Sequence, residues 1–320
     1  MRIGDFGMAS NFIVAVSAVI PLFFLMFIGV MVKQYRLLTE EELNHMNRMV
    51  FRVFFFCMMF HSIYTMDVSA SFKPGLMLFG SVGVLVVFAL ATAFVCAFEK
   101  ENRRRGAMIQ AIYRSNYVIM GIPLVGNIFG DGALAVPAMM IAVTIPIYNV
   151  LAVFVLETFR GGRFDLWGIL LGVLKNPMIV GALLGAAFLL LGVQVPEPIL
   201  KPVRQVAAAT KPIALIILGA SFKGGSFHTH LKQLVTCVAA RLVVVPALML
   251  GLAVYLGYRD VELVTLLAIF ATPCAVASFA MAQQMGSDAE LAGNCVVYTS
   301  ALSCFTIFGW VFALKTLGMF

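Results

Sequence analysis

The stretch R-S-N-Y-V-I-M-G-I-P-L-V-G-N-I-F-G, Arg114 to Gly130, lies inside an apolar segment yet cannot run as one regular helix. Pro123 has no N–H to donate, and its ring crowds the carbonyl one turn back. Gly121 admits backbone angles that other residues avoid. The sequence therefore predicts a break at Gly121–Pro123, with Asn116 about one and a half turns before it. Inside a bilayer, bare N–H and C=O groups are tolerated only where protein or a water-filled cavity satisfies them, so a broken span marks a candidate binding site. A second break of this kind is expected in A-T-P-C-A-V-A-S, around Pro273.

The composition places these breaks in a membrane. Of 320 residues, 62% are hydrophobic and 12% charged, about half the charged share of a soluble domain, and the mean hydropathy is +1.01. The apolar run from Asn11 to Val32 is too long for a signal-peptide core and is read as a first span. A net charge of +7 sits in short loops between apolar runs, which points to membrane topology and not to nucleic acid. The six cysteines fall in apolar segments without CxxC spacing and are read as small buried hydrophobes. His228 and His230 have no further ligand at metal spacing. No P-loop and no nucleophile paired with a base are present, so neither an enzyme nor a cofactor is expected.

Ten segments meet the length of roughly 20 apolar residues that a span needs: 10–32, 45–66, 75–98, 107–129, 133–157, 168–192, 201–221, 233–257, 261–283 and 289–315. Connections one, three, five, seven and nine carry ten Lys and Arg, among them Arg103, Arg104 and Arg105, and the opposite side carries six. The odd connections are accordingly placed in the cytoplasm and both termini outside. A shift of 156 residues lays Pro21 and Gly29 over Pro177 and Gly185, and Arg48 over Arg204. Two halves of five spans, residues 1–160 and 161–320, must then enter the membrane from opposite sides. That is the inverted-repeat architecture of many secondary transporters.

The two broken spans would aim the N-termini of their second halves at one central point, where free N–H groups and the helix dipole favour an anion. Prolines that merely kink packed helices are the plainer alternative. Asn116 suits a carboxylate, or else bridges two helices. Thr144, Asn149 and Ser278, with Asn294 and Thr299, are further polar groups on neighbouring spans. Arg114 and Arg241 are candidates to attract anions, since a cation within a span faces a cavity or the protein interior; Arg114 could equally snorkel to the headgroups. The GxxxG pairs Gly168/Gly172 and Gly181/Gly185 pack helices inside one subunit or form the seam of a homodimer.

With these residues in view, the chain resembles the auxin efflux carrier family, in its bacterial branch of malate and malonate permeases. The resemblance rests on N-Y-V-I-M-G-I-P-L from Asn116, K-N-P from Lys175, K-P-I-A-L-I-I-L-G-A from Lys211, R-L-V-V-V-P from Arg241 and P-C-A-V-A-S-F-A-M-A from Pro273. It implies an all-helical fold in which the first two spans of each half form a scaffold; a homodimer through these scaffold helices is a separate expectation. The last three spans of each half form a transport unit, with spans four and nine crossing at their prolines. It further implies that Asn116 and the backbone of Gly121, Ile122, Pro123 and Pro273 hold a substrate carboxylate while the transport unit slides like an elevator. The expected protein is a permease for a small mono- or dicarboxylate in the bacterial inner membrane. A sodium-coupled symporter of the bile-acid type, or a receptor without flux, is the alternative.

Overall fold

The computed structural model describes residues 20–65, 73–160, 167, 171, 174–221 and 230–320. Residues 10–19 of the first expected span, the pair Gly168/Gly172 and His228 lie outside the described residues.

Helices occupy every segment expected to span. In chain order they are α1 (Ile20–Gln34), α2 (Glu40–Met49), α3 (Phe55–Tyr64), α4 (Pro74–Phe98) and α5 (Asn102–Tyr113). There follow α6 (Tyr117–Phe129), α7 (Ala135–Arg160), α8 (Pro177–Leu190) and α9 (Glu197–Ser221). The last are α10 (Leu231–Tyr255), α11 (Asp260–Ala271), α12 (Ala277–Gln284) and α13 (Ala289–Thr316). A π-helical turn, Val50–Phe54, joins α2 to α3 without a break. Five of these helices, α4, α7, α9, α10 and α13, are long and apolar enough to cross a membrane. In the most apolar stretch of α4 only 28% of residues are buried within the chain. Outward-facing Leu78, Leu85 and Leu90 are largely exposed, as a lipid-facing surface requires.

Local chemistry explains the helix ends. Thr39 caps α2 by accepting from the Glu42 N–H at 3.2 Å, and the Glu42 carboxylate accepts the Thr39 N–H at 2.7 Å, a reciprocal capping box. The Thr39 N–H and hydroxyl hold the Glu42 carboxyl below its ordinary pKa. Asn176 caps α8 through the Met178 N–H at 3.0 Å, with Pro177 in the first turn where its missing N–H costs nothing.

Two seams are drawn tight by glycine. A methyl group on Gly29 of α1 would stand 2.0 Å from the Ile216 carbonyl oxygen of α9, and one on Gly219 of α9 would stand 2.0 Å from that of Met26. On Gly181 and Gly185 of α8 it would meet the carbonyl oxygens of Phe56 and Phe60 in α3 at 2.5 and 2.7 Å. Backbone therefore lies on backbone, and α1, α3, α8 and α9 form one closely packed group.

The two breaks differ in position from the sequence expectation in one case. The break expected at Pro273 is present: α11 ends at Ala271 and Thr272 is extended, at φ −73° and ψ 154°. The break expected at Gly121–Pro123 instead falls at Arg114–Asn116, with Arg114 extended at φ −89° and ψ 119°. Pro123 is absorbed by a π-helical turn, Tyr117–Gly121, in which the Ile122 N–H reaches the Tyr117 carbonyl. Widening the helix by one residue relieves the clash that a proline ring makes with the preceding turn. The same solution recurs in α10, where a π-helical turn, Ala240–Val244, ends two residues before Pro246. There the Leu242 carbonyl, which Pro246 cannot serve, accepts from Trp310 Nε1 at 3.0 Å.

The breaks lie side by side. Ser115 and Cys274 form an antiparallel bridge, with the Asn116 N–H donating to the Pro273 carbonyl at 2.8 Å and the Ala275 N–H to the Arg114 carbonyl at 3.3 Å. The carbonyls left over at the ends of α5 and α11 converge on Arg241, which is fully buried. Its Nε donates to Thr272 at 2.8 Å, Nη1 to Ile112 and Tyr113 at 3.2 Å each, and Nη2 to Ile269 at 3.0 Å. Arg241 thus replaces the helical bond that Pro273 cannot give to Ile269 and the one that Asn116 gives to Pro273 instead of Ile112. Substituting Arg241 by Met leaves four buried carbonyls without this donor, at about 1–3 kcal/mol each. Arg241→Met is therefore expected to lower the melting temperature of the detergent-solubilised protein steeply, with Arg241→Lys intermediate; a wild-type melting curve for the Met variant would remove this role.

Candidate functional site

Beside the crossing lies a cavity of about 200 Å³, smaller than the roughly 300–1,000 Å³ of pockets for drug-sized ligands. Both broken spans open onto it through the starts of their second halves: Asn116, Tyr117, Val118 and Ile119 from α6, and Ala275, Val276 and Ala277 from α12. The N–H groups in the first turn of a helix have no partner within it, so these two starts offer donors and partial positive charge to whatever occupies the space. Three amides of the crossing are already engaged, those of Asn116 and Ala275 with each other's strand and that of Cys274 with Thr299 Oγ1 at 3.1 Å. The donors available to a solute are therefore those one step further into each helix.

Apolar walls come from Phe55, Met58 and Met59 of α3 and from Ile141 and Ile145 of α7. Ile141 and Ile145 stand in the half of α7 nearer connection four, and Phe55, Met58 and Met59 past the middle of the continuous helix that α2 and α3 form, so the cavity lies towards the side of connections two and four. Its polar groups are few. Asn116 is buried, and its Nδ2 has no hydrogen-bond partner among the described residues. Asn149 accepts from Arg114 Nη2 at 2.5 Å and donates to the Ile145 carbonyl at 2.9 Å. Ser115 Oγ lies 3.0 Å from Tyr148 Oη, and the Tyr113 hydroxyl donates to the Tyr148 carbonyl at 2.9 Å. These contacts moor α7 to the crossing.

Arg114 lines the cavity and is buried. Snorkelling, one of the two roles open to it in the sequence, is not what the structure has. Its guanidinium is held inside by neutral acceptors: Gln110 Oε1 at 3.3 Å, Asn149 and Met281 Sδ at 2.9 Å. Arg241, the other candidate for attracting anions, does not line the cavity, because its donors are turned to the carbonyls of the crossing.

Of the other residues singled out in the sequence, Asn116 and Asn149 line the cavity and Gly121, Ile122, Pro123, Pro273, Ser278 and Thr144 do not. Pro273 acts one layer below, as acceptor for Asn116. Ser278 and Thr144 are buried, and Pro123 is exposed on the far face of α6. Gly121 serves contact between the broken spans: a methyl group there would stand 2.8 Å from Ala268 Cβ of α11. The cavity also includes Ser62, Tyr148 and Lys211, which sequence reasoning had not placed in the site. Lys211 had a legible signal, a lysine midway along an apolar span.

The comparisons with known proteins place the chain among membrane transporters. The profile of the family described as "Membrane transport protein" matches residues 14–164 and 166–311, so the chain belongs to that family, the one whose auxin efflux carriers its motifs resemble. The chain is 22% identical to an uncharacterized transporter of Methanocaldococcus jannaschii, over 93% of this chain and 99% of that protein. It is 22% identical to one of Methanothermobacter thermautotrophicus, over 93% and 98%. It is 23% identical to a Rhizobium meliloti protein named "Putative malonate transporter", over 93% and 95%. The chain is a multi-pass membrane transporter.

Enlarging Gly121 tests the crossing. Gly121→Ala must push Ala268 away and loosen the Ser115–Cys274 pairing, at about 1–3 kcal/mol. A melting temperature several degrees below wild type is expected, and an unchanged one would show that the spans approach less closely than described.

Proposed function

We propose that the protein is a secondary carrier of small organic anions, a mono- or dicarboxylate of the malate or malonate kind, that moves its solute by alternating access at the crossed breaks. The observation that carries this reading is the cavity: two helix starts, an unpartnered buried amide at Asn116 and the Arg114 guanidinium face one space. A carboxylate accepts from each of these groups and donates to none. Asn116→Ala removes two of the donors from a preformed space. It is expected to cut labelled-malate counterflow in proteoliposomes about tenfold or more while leaving the melting curve in place; wild-type counterflow in the folded variant would refute the assignment.

In this reading the chain crosses the bilayer ten times in two inverted halves, 1–160 and 161–320. A reciprocal contact supports the repeat. Gly29 packs on the carbonyl of Ile216, and Gly185 packs on that of Phe60; adding 156 to Gly29 and subtracting 156 from Ile216 turns the first pair into the second. Pairs exchanged in this way are what a two-fold axis within the membrane plane produces. The group α1, α3, α8 and α9 then serves as scaffold and the crossing helices as the moving unit, with the odd connections in the cytoplasm of a bacterial inner membrane.

The side opposite the cavity is closed by amides. Asn47 Nδ2 donates to Gln283 Oε1 at 2.5 Å, and Gln283 Nε2 donates to Asn44 Oδ1 at 2.6 Å, tying α2 to the end of α12. In a moving-unit mechanism this latch must part when the solute leaves on that side. Gln283→Leu is expected to shift the population towards that open state, read as at least severalfold faster labelling of a cysteine placed at Ala280 by a reagent supplied from the odd-connection side. Unaltered labelling would mean the contact is no gate.

A further inference from the structure

We propose that Lys211 is the residue by which the pocket counts charge: its ammonium receives the second carboxylate of a dianion whose first carboxylate lies at Asn116 and Arg114. The inference rests on the organic-anion reading above and goes beyond it to a specificity-determining side chain.

Lys211 lines the same cavity as Arg114 and Asn116 but comes from α9, on the closely packed side. Among the described residues it makes no hydrogen bond and no ion pair. Its neighbour Thr210 makes no hydrogen bond with it; that hydroxyl donates towards the Val206 and Phe54 carbonyls, at 3.1 and 3.2 Å. Arg114 is likewise met only by neutral acceptors. The described ion pairs, such as Lys73–Glu262, Arg204–Glu197 and Arg160–Glu157, all stand at or near helix ends, away from this space.

A buried guanidinium and a half-buried lysine thus line one small cavity with no carboxylate of the described residues to balance them. Charges withdrawn from water are retained only where they are compensated. A monoanion bound at Asn116 and Arg114 would leave Lys211 uncompensated, whereas a dianion neutralises both cations and bridges α9 to the crossing. A short diacid is the solute whose two negative groups match two cations across a cavity of about 200 Å³.

Malonate and pyruvate provide the test, because both have three carbons and they differ by one negative charge. Counterflow in proteoliposomes is measured for wild type, Lys211→Met and Lys211→Arg with each acid. Wild type is expected to favour malonate at least tenfold in KM. Lys211→Met should lose that preference, with the KM for malonate rising at least severalfold more than the KM for pyruvate, and Lys211→Arg should keep most of it. Because Lys211 holds no partner, Lys211→Met should melt no lower than wild type without solute yet lose the upward shift that malonate gives. A Met variant that retains the preference, or that loses both acids alike, overturns the proposal. If the Met variant does not fold, Lys211→Gln replaces it; failure of both to fold would make Lys211 structural and also overturn the proposal. Wild type that carries pyruvate in preference to malonate overturns this inference alone, and wild type that carries neither overturns the organic-anion reading with it.

Discussion

Everything at the centre of this molecule depends on the guanidinium of Arg241. Two helices stop halfway through the protein, and each stop leaves carbonyl oxygens pointing along the axis with no N–H to receive. The carbonyl ends of two helix dipoles meeting in a dry interior would repel each other and carry unmet hydrogen-bonding groups. One planar cation answers both problems, since it donates to Ile112 and Tyr113 at one end and to Ile269 and Thr272 at the other. An Arg suits this better than a Lys because its donors are spread in a rigid fork. The negative ends are thereby fastened together, and the positive ends of α6 and α12 are left for the cavity.

The division of labour between the two buried arginines follows from position alone. Arg241 has carbonyls on several sides and spends its donors on architecture. Arg114 lies in the break, where its own peptide is already paired with Ala275, and its side chain finds only amide and thioether acceptors. Such acceptors orient a guanidinium without neutralising it. The guanidinium is therefore fixed at the cavity wall by neutral acceptors, without a carboxylate partner among the described residues.

Much of the helical layout was legible because hydrophobic length is a strong signal, and the break at Pro273 was legible because proline removes a donor. The first break was misplaced at Pro123 for a reason that is not local. A π-helical turn relieves that proline within its own helix, while the interruption at Arg114–Asn116 is set by the Pro273 carbonyl, distant in sequence, competing for the Asn116 N–H. In the sequence Arg241 is a candidate to attract anions, because a cation in a span is visible there and the carbonyls that engage it are not. Asn116 and Asn149 were legible as costly polar groups in apolar surroundings. Gly121 was visible as a glycine, yet its use, the close approach of Ala268, belongs to the tertiary structure. Lys211 is visible in the sequence as a lysine within an apolar span, but its place in the cavity wall depends on how α9 packs.

The tie between α2 and α12 is built from Asn44, Asn47 and Gln283, three side chains without charge. Water competes well for such bonds, each worth only about 0.5–1.5 kcal/mol net, and no proton or counter-ion needs to move when they part. In the carrier reading, parting this tie therefore asks only that bonds between amides be exchanged for bonds to water, with no ion pair among the three side chains to break.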